Sequence, residues 1–421
     1  MNAARTPAGA DARDMLMIHL VAGEESGDRL GAALMRALME RCHGRVRFAG
    51  VGGHDMTSAG LDSLFPIDDL AIMGFSAIPR RLPMILRRIR AAAAATVADR
   101  PDALVVIDSP DFTHRVARRV RAAAPDVPII DYVSPSVWAW RPGRARAMRA
   151  YVDHVLAILP FEPQVHARLG GPPCSYVGHP LAAQVRELRP NEAEARRRAA
   201  EPPLVLVLPG SRPSEIRRLI GPFGQALRLA QERYGTLELV LPTVPALLAR
   251  LRAATAEWPM RPRITAEPAE KRAAFRQARA ALAASGTVTL ELALAAVPSV
   301  GAYRVGAVEG ALVRALMRPQ ISVRSVILAN LVLGANVVPE FLQGDCTPPK
   351  LADALVPLLG DPAARRRQLE AFAKLDAIMG VGAAPGAKAA DVVLDVIGQA
   401  RAARSPAPPP GRSMAQRAPG A

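Results

Sequence analysis

Continuous apolar runs alternate along this chain with long helical patterns rich in Ala, Arg and Leu, and this alternation constrains the fold more than any other feature. Strands are expected at 15–21, 46–51, 103–108, 127–133, 154–159 and 174–177, and a second series at 204–208, 237–241, 280–284 and 299–303. A strand that is apolar on both faces must be covered on both, and the intervening helices supply that cover. The pattern therefore predicts α/β architecture with parallel sheets. The polar stretch Glu187 to Pro203 separates the two series and predicts two doubly wound, Rossmann-like domains. Such sheets bind ligands beyond the C-terminal ends of their strands, here in a central cleft that the two domains face.

The first apolar run leads into Ala22-Gly23-Glu24-Glu25-Ser26-Gly27-Asp28, which reads as a turn opening a helix. Glycine lets the backbone turn sharply, and helix-start amides favour an anion. Acids stand where a dinucleotide fingerprint would have glycines. Gly23, Glu24, Ser26 and Asp28 are therefore candidates for handling hydroxyl groups.

With 421 residues the chain has room for two or three domains. Its 54 basic and 38 acidic residues leave a net charge of +16, which calls for an anionic partner: nucleic acid, a phospholipid surface or a phosphorylated substrate. Aromatic residues make up only 4% of the chain, which argues against base-stacking platforms for nucleic acid. Cys42, Cys174 and Cys346 are far apart and lack metal spacing, so free thiols in a reducing compartment are expected. No uninterrupted apolar window reaches the ~18 residues that would suggest a membrane span. Disordered tails are expected at 1–14 and 404–421.

Residues 71–90 mix Ile72, Phe75, Ile78, Leu82, Ile85, Leu86 and Ile89 with Arg80, Arg81, Arg87, Arg88 and Arg90. An apolar surface rimmed by arginine suits an anionic bilayer. An ordinary amphipathic helix facing the core reads the same way.

Four constellations can carry chemistry. A buried run ends at Asp108-Ser109-Pro110-Asp111, where Asp108 is placed either to take a proton from a hydroxyl or to cap the next helix. Ser134-Pro135-Ser136-Val137-Trp138-Ala139-Trp140-Arg141 can shape a sugar or phosphate pocket, or simply pack its own loop. Pro209-Gly210-Ser211-Arg212 follows the first strand of the second series and opens a helix, making either a diphosphate cradle or a capping box with a local Arg–Glu pair. Ser285-Gly286-Thr287 repeats the strand–loop–helix arrangement, with Glu291 one turn on, where a carboxylate can accept from ribose hydroxyls. Its bland counterpart is again helix capping.

These motifs, in this order, resemble the lipid-A-disaccharide synthases, glycosyltransferases of the GT-B type. Further matching motifs are Ile72-Met73-Gly74-Phe75, Leu159-Pro160-Phe161-Glu162, Val177-Gly178-His179-Pro180 and Val338-Pro339-Glu340-Phe341-Leu342-Gln343. The likeness runs from about residue 15 to about 395. It implies inverting transfer of 2,3-diacylglucosamine from UDP-2,3-diacylglucosamine to the 6-hydroxyl of 2,3-diacylglucosamine 1-phosphate. The products would be a β-1,6-linked disaccharide 1-phosphate and UDP. No cofactor and no metal are implied, and no nucleic acid partner.

Carried over by resemblance, Asp108 is the base and Arg212 the essential arginine near the donor phosphates. Ser211, Ser285, Gly286, Thr287, Glu291 and Asn330 bind the donor. Gly23, Glu24, Ser26, Asp28, Ser134 and Trp138 are acceptor-side candidates. Phe75, Ile78, Leu82, Ile85, Leu86, Arg87 and Arg88 face the membrane. The chain has Ala329 where the family commonly has proline before that asparagine.

The implied domains are an acceptor domain at 15–190 and a UDP-sugar domain at 200–374, with a helix near 375–400 packing back on the first. The implied setting is the cytoplasmic face of a Gram-negative inner membrane, bound peripherally to its anionic surface, and the implied assembly is a homodimer exchanging C-terminal parts. Rival readings are a peptidoglycan N-acetylglucosaminyltransferase, a UDP-sugar 2-epimerase, or a non-catalytic basic protein binding membranes or nucleic acid.

Overall fold

Short segments, most of them apolar, pair side by side into two parallel sheets. The structure is a computed structural model that describes residues 15–70, 78–306, 325–381 and 384–404. The expected tails at 1–14 and beyond Arg404 lie outside the described residues, as do Ile72, Phe75 and the side chain of Ile78.

The first sheet has seven strands: β1 (Leu16–Ala22), β2 (Val46–Val51), β3 (Asp62–Ser63), β4 (Ala103–Ile107), β5 (Ile129–Tyr132), β6 (His154–Ala157) and β7 (Cys174–Tyr176), in the order β3-β2-β1-β4-β5-β6-β7. The second has six: β8 (Leu204–Leu208), β9 (Glu238–Pro242), β10 (Arg263–Thr265), β11 (Ala280–Ala284), β12 (Ser299–Tyr303) and β13 (Glu340–Leu342), in the order β10-β9-β8-β11-β12-β13. Both sheets start at an inner strand, wind outward, then reverse. That reversal puts a switch point between β1 and β4, and another between β8 and β11.

The helices from the first half of the chain are α1 (Glu25–Arg41), α2 (His54–Ser58), α3 (Ile78–Asp99), α4 (Pro110–Ala123), α5 (Gly143–Met148), α6 (Glu162–Leu169), α7 (Pro180–Ala183), α8 (Val185–Leu188) and α9 (Glu192–Ala199). Those from the second half are α10 (Pro213–Tyr234), α11 (Leu248–Ala254), α12 (Pro268–Gln277), α13 (Thr287–Leu294), α14 (Leu328–Leu333), α15 (Pro348–Gly360), α16 (Pro362–Met379) and α17 (Pro385–Arg404). The described residues fall into two compact units, one within Met1–Tyr132, Tyr151–His154 and Ala389–Ala421, the other within Val133–Ala150 and Val155–Lys388.

Strand periodicity explains the second core. Val205, Val207, Ala280 and Leu282 point to one face, where Phe223 and Leu227 of α10 and Leu355 of α15 cover them. Leu204, Leu206, Ala281 and Ala283 point to the other, against Phe275 of α12 and Leu292 of α13. Alternation with period two sends neighbouring residues into opposite cores, so every position of β8 and β11 must be apolar. Two arginines, half-buried Arg198 and buried Arg279, tie the rim together. Arg198 of α9 donates to the carbonyls of Phe275, Arg276 and Ala296, and burial lowers its pKa to about 10. Arg279 donates to the carbonyls of Arg198, Ala199 and Ala200.

Candidate active site

At the first switch point, Ala22 pairs with Ile107, so the loops after β1 and β4 leave the sheet side by side. They approach so closely that a Cβ at Gly23 would overlap the Ser109 side chain. Ser109 Oγ donates to Glu24 at 2.8 Å, and Ser26 Oγ donates to Asp108 Oδ2 at 2.9 Å. Asp108 (φ +56°) and Ser109 (φ +45°) are both left-handed. Non-glycine residues there cost on the order of 1–3 kcal/mol each and persist only where neighbours hold them. Here the Ser109 amide donates to Asp108 Oδ1 at 2.7 Å, and Thr113 Oγ1 donates to the Asp108 carbonyl at 2.7 Å. The result is a half-buried carboxylate at a strand end with lone pairs to spare, which is what proton abstraction from a hydroxyl needs.

Asp28 is not at that surface. It is 3% exposed and accepts from the amides of Gly53 (2.7 Å), Asp55 (2.9 Å) and Met56 (3.0 Å). Its carboxylate caps α2.

Two further candidates brace their own loop. Ser134 is buried, with Oγ 2.8 Å from His166 Nε2. Trp138 Nε1 donates to the buried Glu162 at 3.2 Å and stands edge-on to Phe161. Trp140 carries the Arg141 guanidinium over its face, 4.4 Å from the ring centre.

At the second switch point lies a cavity of about 360 Å³, within the usual range for small-molecule sites. Its walls come from the loops after β8, β9 and β11 and from Lys271 and Glu291. Gly210, Ser211, Arg212, Ser285, Gly286, Thr287 and Glu291 all line it, which brings most of the expected donor residues together.

The structure also shows how they are engaged. Glu215 reaches back from α10 and accepts from the amides of Ser211 (3.1 Å) and Arg212 (3.2 Å) and from Arg212 Nη1 (3.2 Å). Gly210 adopts φ +113°, and a Cβ there would meet that same carboxylate. Lys271 Nζ pairs with Glu291 at 2.8 Å. Ser285 Oγ donates to the Val326 carbonyl at 2.8 Å.

Asn330 does not line the cavity. It is 2% exposed and fully engaged: Oδ1 accepts from Val337 and Val338, and Nδ2 donates to the Val338 carbonyl. It brackets the chain between α14 and β13.

Lys271 and Thr243 also line the cavity, and no glycine-rich turn marks either of them in the sequence. Glu215 forms the local pair with Arg212 that the capping reading expected, and accepts the two loop amides as well.

On α3, Leu82 is 42% exposed, Ile85 and Leu86 are half-buried, and Ile89 is buried. Arg87 is exposed, whereas Arg88 pairs with Asp69 at 2.5 Å and lies over the Phe65 ring. Among the described residues no helix is long and apolar enough to cross a membrane, and no cluster of His, Cys, Asp or Glu could hold a metal ion.

Two parallel sheets with matching strand orders, each with loops converging at its switch point, define a protein of the GT-B class. Solved structures with this fold include UDP-GlcNAc 2-epimerase from Neisseria meningitidis bound to UDP-GlcNAc, with TM-score 0.59 and 10% identity over 91% of this chain and 100% of that one. MurG from Acinetobacter baumannii gives TM-score 0.50 and 16% identity over 91% and 99%. The family model described as Lipid-A-disaccharide synthetase matches residues 18–379. Lipid-A-disaccharide synthase from Nitrobacter hamburgensis is 60% identical over 394 residues, covering 93% of this chain and 98% of that protein. The chain belongs to the lipid-A-disaccharide synthetase family and is a glycosyltransferase.

Proposed function

We propose that this chain transfers 2,3-diacylglucosamine from UDP-2,3-diacylglucosamine to the 6-hydroxyl of 2,3-diacylglucosamine 1-phosphate. Asp108 takes the hydroxyl proton as the oxygen attacks the anomeric carbon from the side opposite UDP, which turns an α-linked donor into a β-linked product. The bond to the diphosphate breaks with its electron pair, and UDP leaves. Arg212, Lys271 and the amides at the start of α13 offset the charge that collects on it. Glu291 accepts from the ribose hydroxyls.

The observation that carries this reading is the presentation of Asp108. A strained pair of residues is held by Ser26, Thr113 and the Ser109 amide so that one carboxylate stands at a strand end. An epimerase or peptidoglycan transferase would share the fold but not the acceptor.

The same reading takes the acylated substrates from an anionic bilayer, supported by exposed Leu82 among the α3 arginines. It includes the peripheral location at the inner membrane's cytoplasmic face and a homodimer, checked by vesicle sedimentation and light scattering. UDP release from the diacylated donor, with and without the acceptor in detergent micelles, is the primary test. Release that depends on acceptor and yields disaccharide supports the proposal. UDP binding without turnover rejects the substrates and leaves the nucleotide site standing.

A further inference from the structure

Glu340 lies in a motif to which the reaction assigns no task. It sits on β13, the edge strand beside β12, and does not line the cavity. Its carboxylate nevertheless makes two bonds to one short segment. Oε2 accepts from Ser325 Oγ at 2.8 Å, and Oε1 accepts from the Val326 amide at 2.8 Å. Ser325 Oγ in turn accepts from the Ile327 amide at 3.1 Å. The Val326 carbonyl, on the same residue that Glu340 grips, receives the Ser285 hydroxyl at 2.8 Å. Ser285 is the first residue of the cavity loop after β11, and Gly286 caps α13 without any side-chain bond of its own.

From this chain of contacts we infer that Glu340 is a positioning residue for the nucleotide diphosphate. It clamps residues 325–326 so that the Val326 carbonyl holds Ser285, and Ser285 holds the Gly286 and Thr287 amides where an anion can use them. The inference rests on the cavity being the UDP site. Only a carboxylate fits the role, because both partners donate. An amide in its place keeps one acceptor and turns an N–H₂ toward Ser325, whose oxygen already accepts from the Ile327 amide at 3.1 Å and from Asn330 Nδ2 at 3.5 Å. The clamp works through loop placement, so it acts on binding of the diphosphate rather than on proton transfer at Asp108.

The test is a double-mutant cycle on UDP affinity, read by calorimetry, with donor kinetics alongside. Glu340→Gln should weaken UDP binding and raise KM for the donor about five- to tenfold, and kcat should fall as well, because the α13 amides it places hold the diphosphate both when bound and as its charge grows. Ser285→Ala should do the same. In the Ser285→Ala background, Glu340→Gln should add less than about twofold, since the link is already cut. Ser325→Ala removes one of the two clamp bonds without touching Glu340 and should show the same lack of additivity, which covers the case of an unfolded Glu340→Gln protein. Additive effects, or a lower melting temperature with unchanged UDP affinity, overturn the inference. Wild-type protein that binds no UDP overturns the cavity assignment itself, and with it the clamp.

Discussion

Asp28→Asn separates two roles that one acid can play after a glycine turn. α2 is preceded by Gly53, which has no side chain to cap its amides. Asp28 of α1 supplies the cap from 25 residues away, with Oδ1 serving Gly53 and Met56, and Oδ2 serving Asp55. Asparagine keeps the first oxygen but turns an N–H₂ against the Asp55 amide. One charge-assisted bond is lost, worth about 1.5–3 kcal/mol, and two buried donors are left facing each other. The loss should come to about 2–4 kcal/mol, a fall of roughly 5–15 °C in melting temperature at 2–4 °C per kcal/mol for a domain of this size. Turnover per folded molecule at 25 °C should stay within about twofold, because the side chain is buried and engaged away from the Asp108 carboxylate. Thermal denaturation and UDP release measured on the same preparation decide it. An unchanged melting temperature with turnover lost would refute the capping account and return Asp28 to the substrate.

Asp108→Asn should cut turnover by at least about 10²-fold while UDP affinity holds, and near-normal turnover would remove Asp108 from the role of base. Lys271→Met takes a cation from the cavity and leaves Glu291 unpaired in its wall. UDP binding should weaken about tenfold or more by calorimetry, and an unchanged Kd would exclude Lys271 from the site. His179 is buried and accepts from the Leu181 amide through Nδ1, and burial lowers its pKa from 6.5 to about 4. The unfolded chain therefore binds the extra proton first as pH falls. The stability His179 contributes is complete above 6.5 and is lost on the way down to 4. Between pH 7 and 5 that loss is about 2 kcal/mol. Urea midpoints at the two pH values should show it in the wild type but not in His179→Asn, and equal pH slopes would refute it.

The inner strands were legible because burial on two faces leaves no freedom of residue type. β2, β8, β11 and β12 fall at the expected residues. β3, β10 and β13 were not expected; all three are short edge strands, and Thr265 alone among their residues is buried. An edge strand is held by one neighbour and needs no continuous apolar run, so its composition marks it weakly; of the four edges only β7 falls where a strand was expected.

The site divides along a different line. Residue type and position after a strand identified the loops that line the cavity and the turn at Gly23, because close backbone approach needs glycine and strand ends need turns; the approach of Ser109 to Gly23 came only with the structure. They did not distinguish Asp28 from Asp108, two acids that each lie just beyond a strand. What separates them is which donors have already claimed their oxygens, and those donors come from remote parts of the chain: Gly53 to Met56 for the first, Ser26 for the second. The same holds for Asn330, spent on Val337 and Val338, and for Glu215, which occupies the very amides that an anion would need. An acid is available for chemistry only when its lone pairs outnumber the amides folded against it, and that balance is set by packing rather than by motif. By that measure Asp108 is open while Asp28 is closed. Glu215 lies between them: under the function proposed above, a diphosphate in the cavity would compete with its carboxylate for the Ser211 and Arg212 amides.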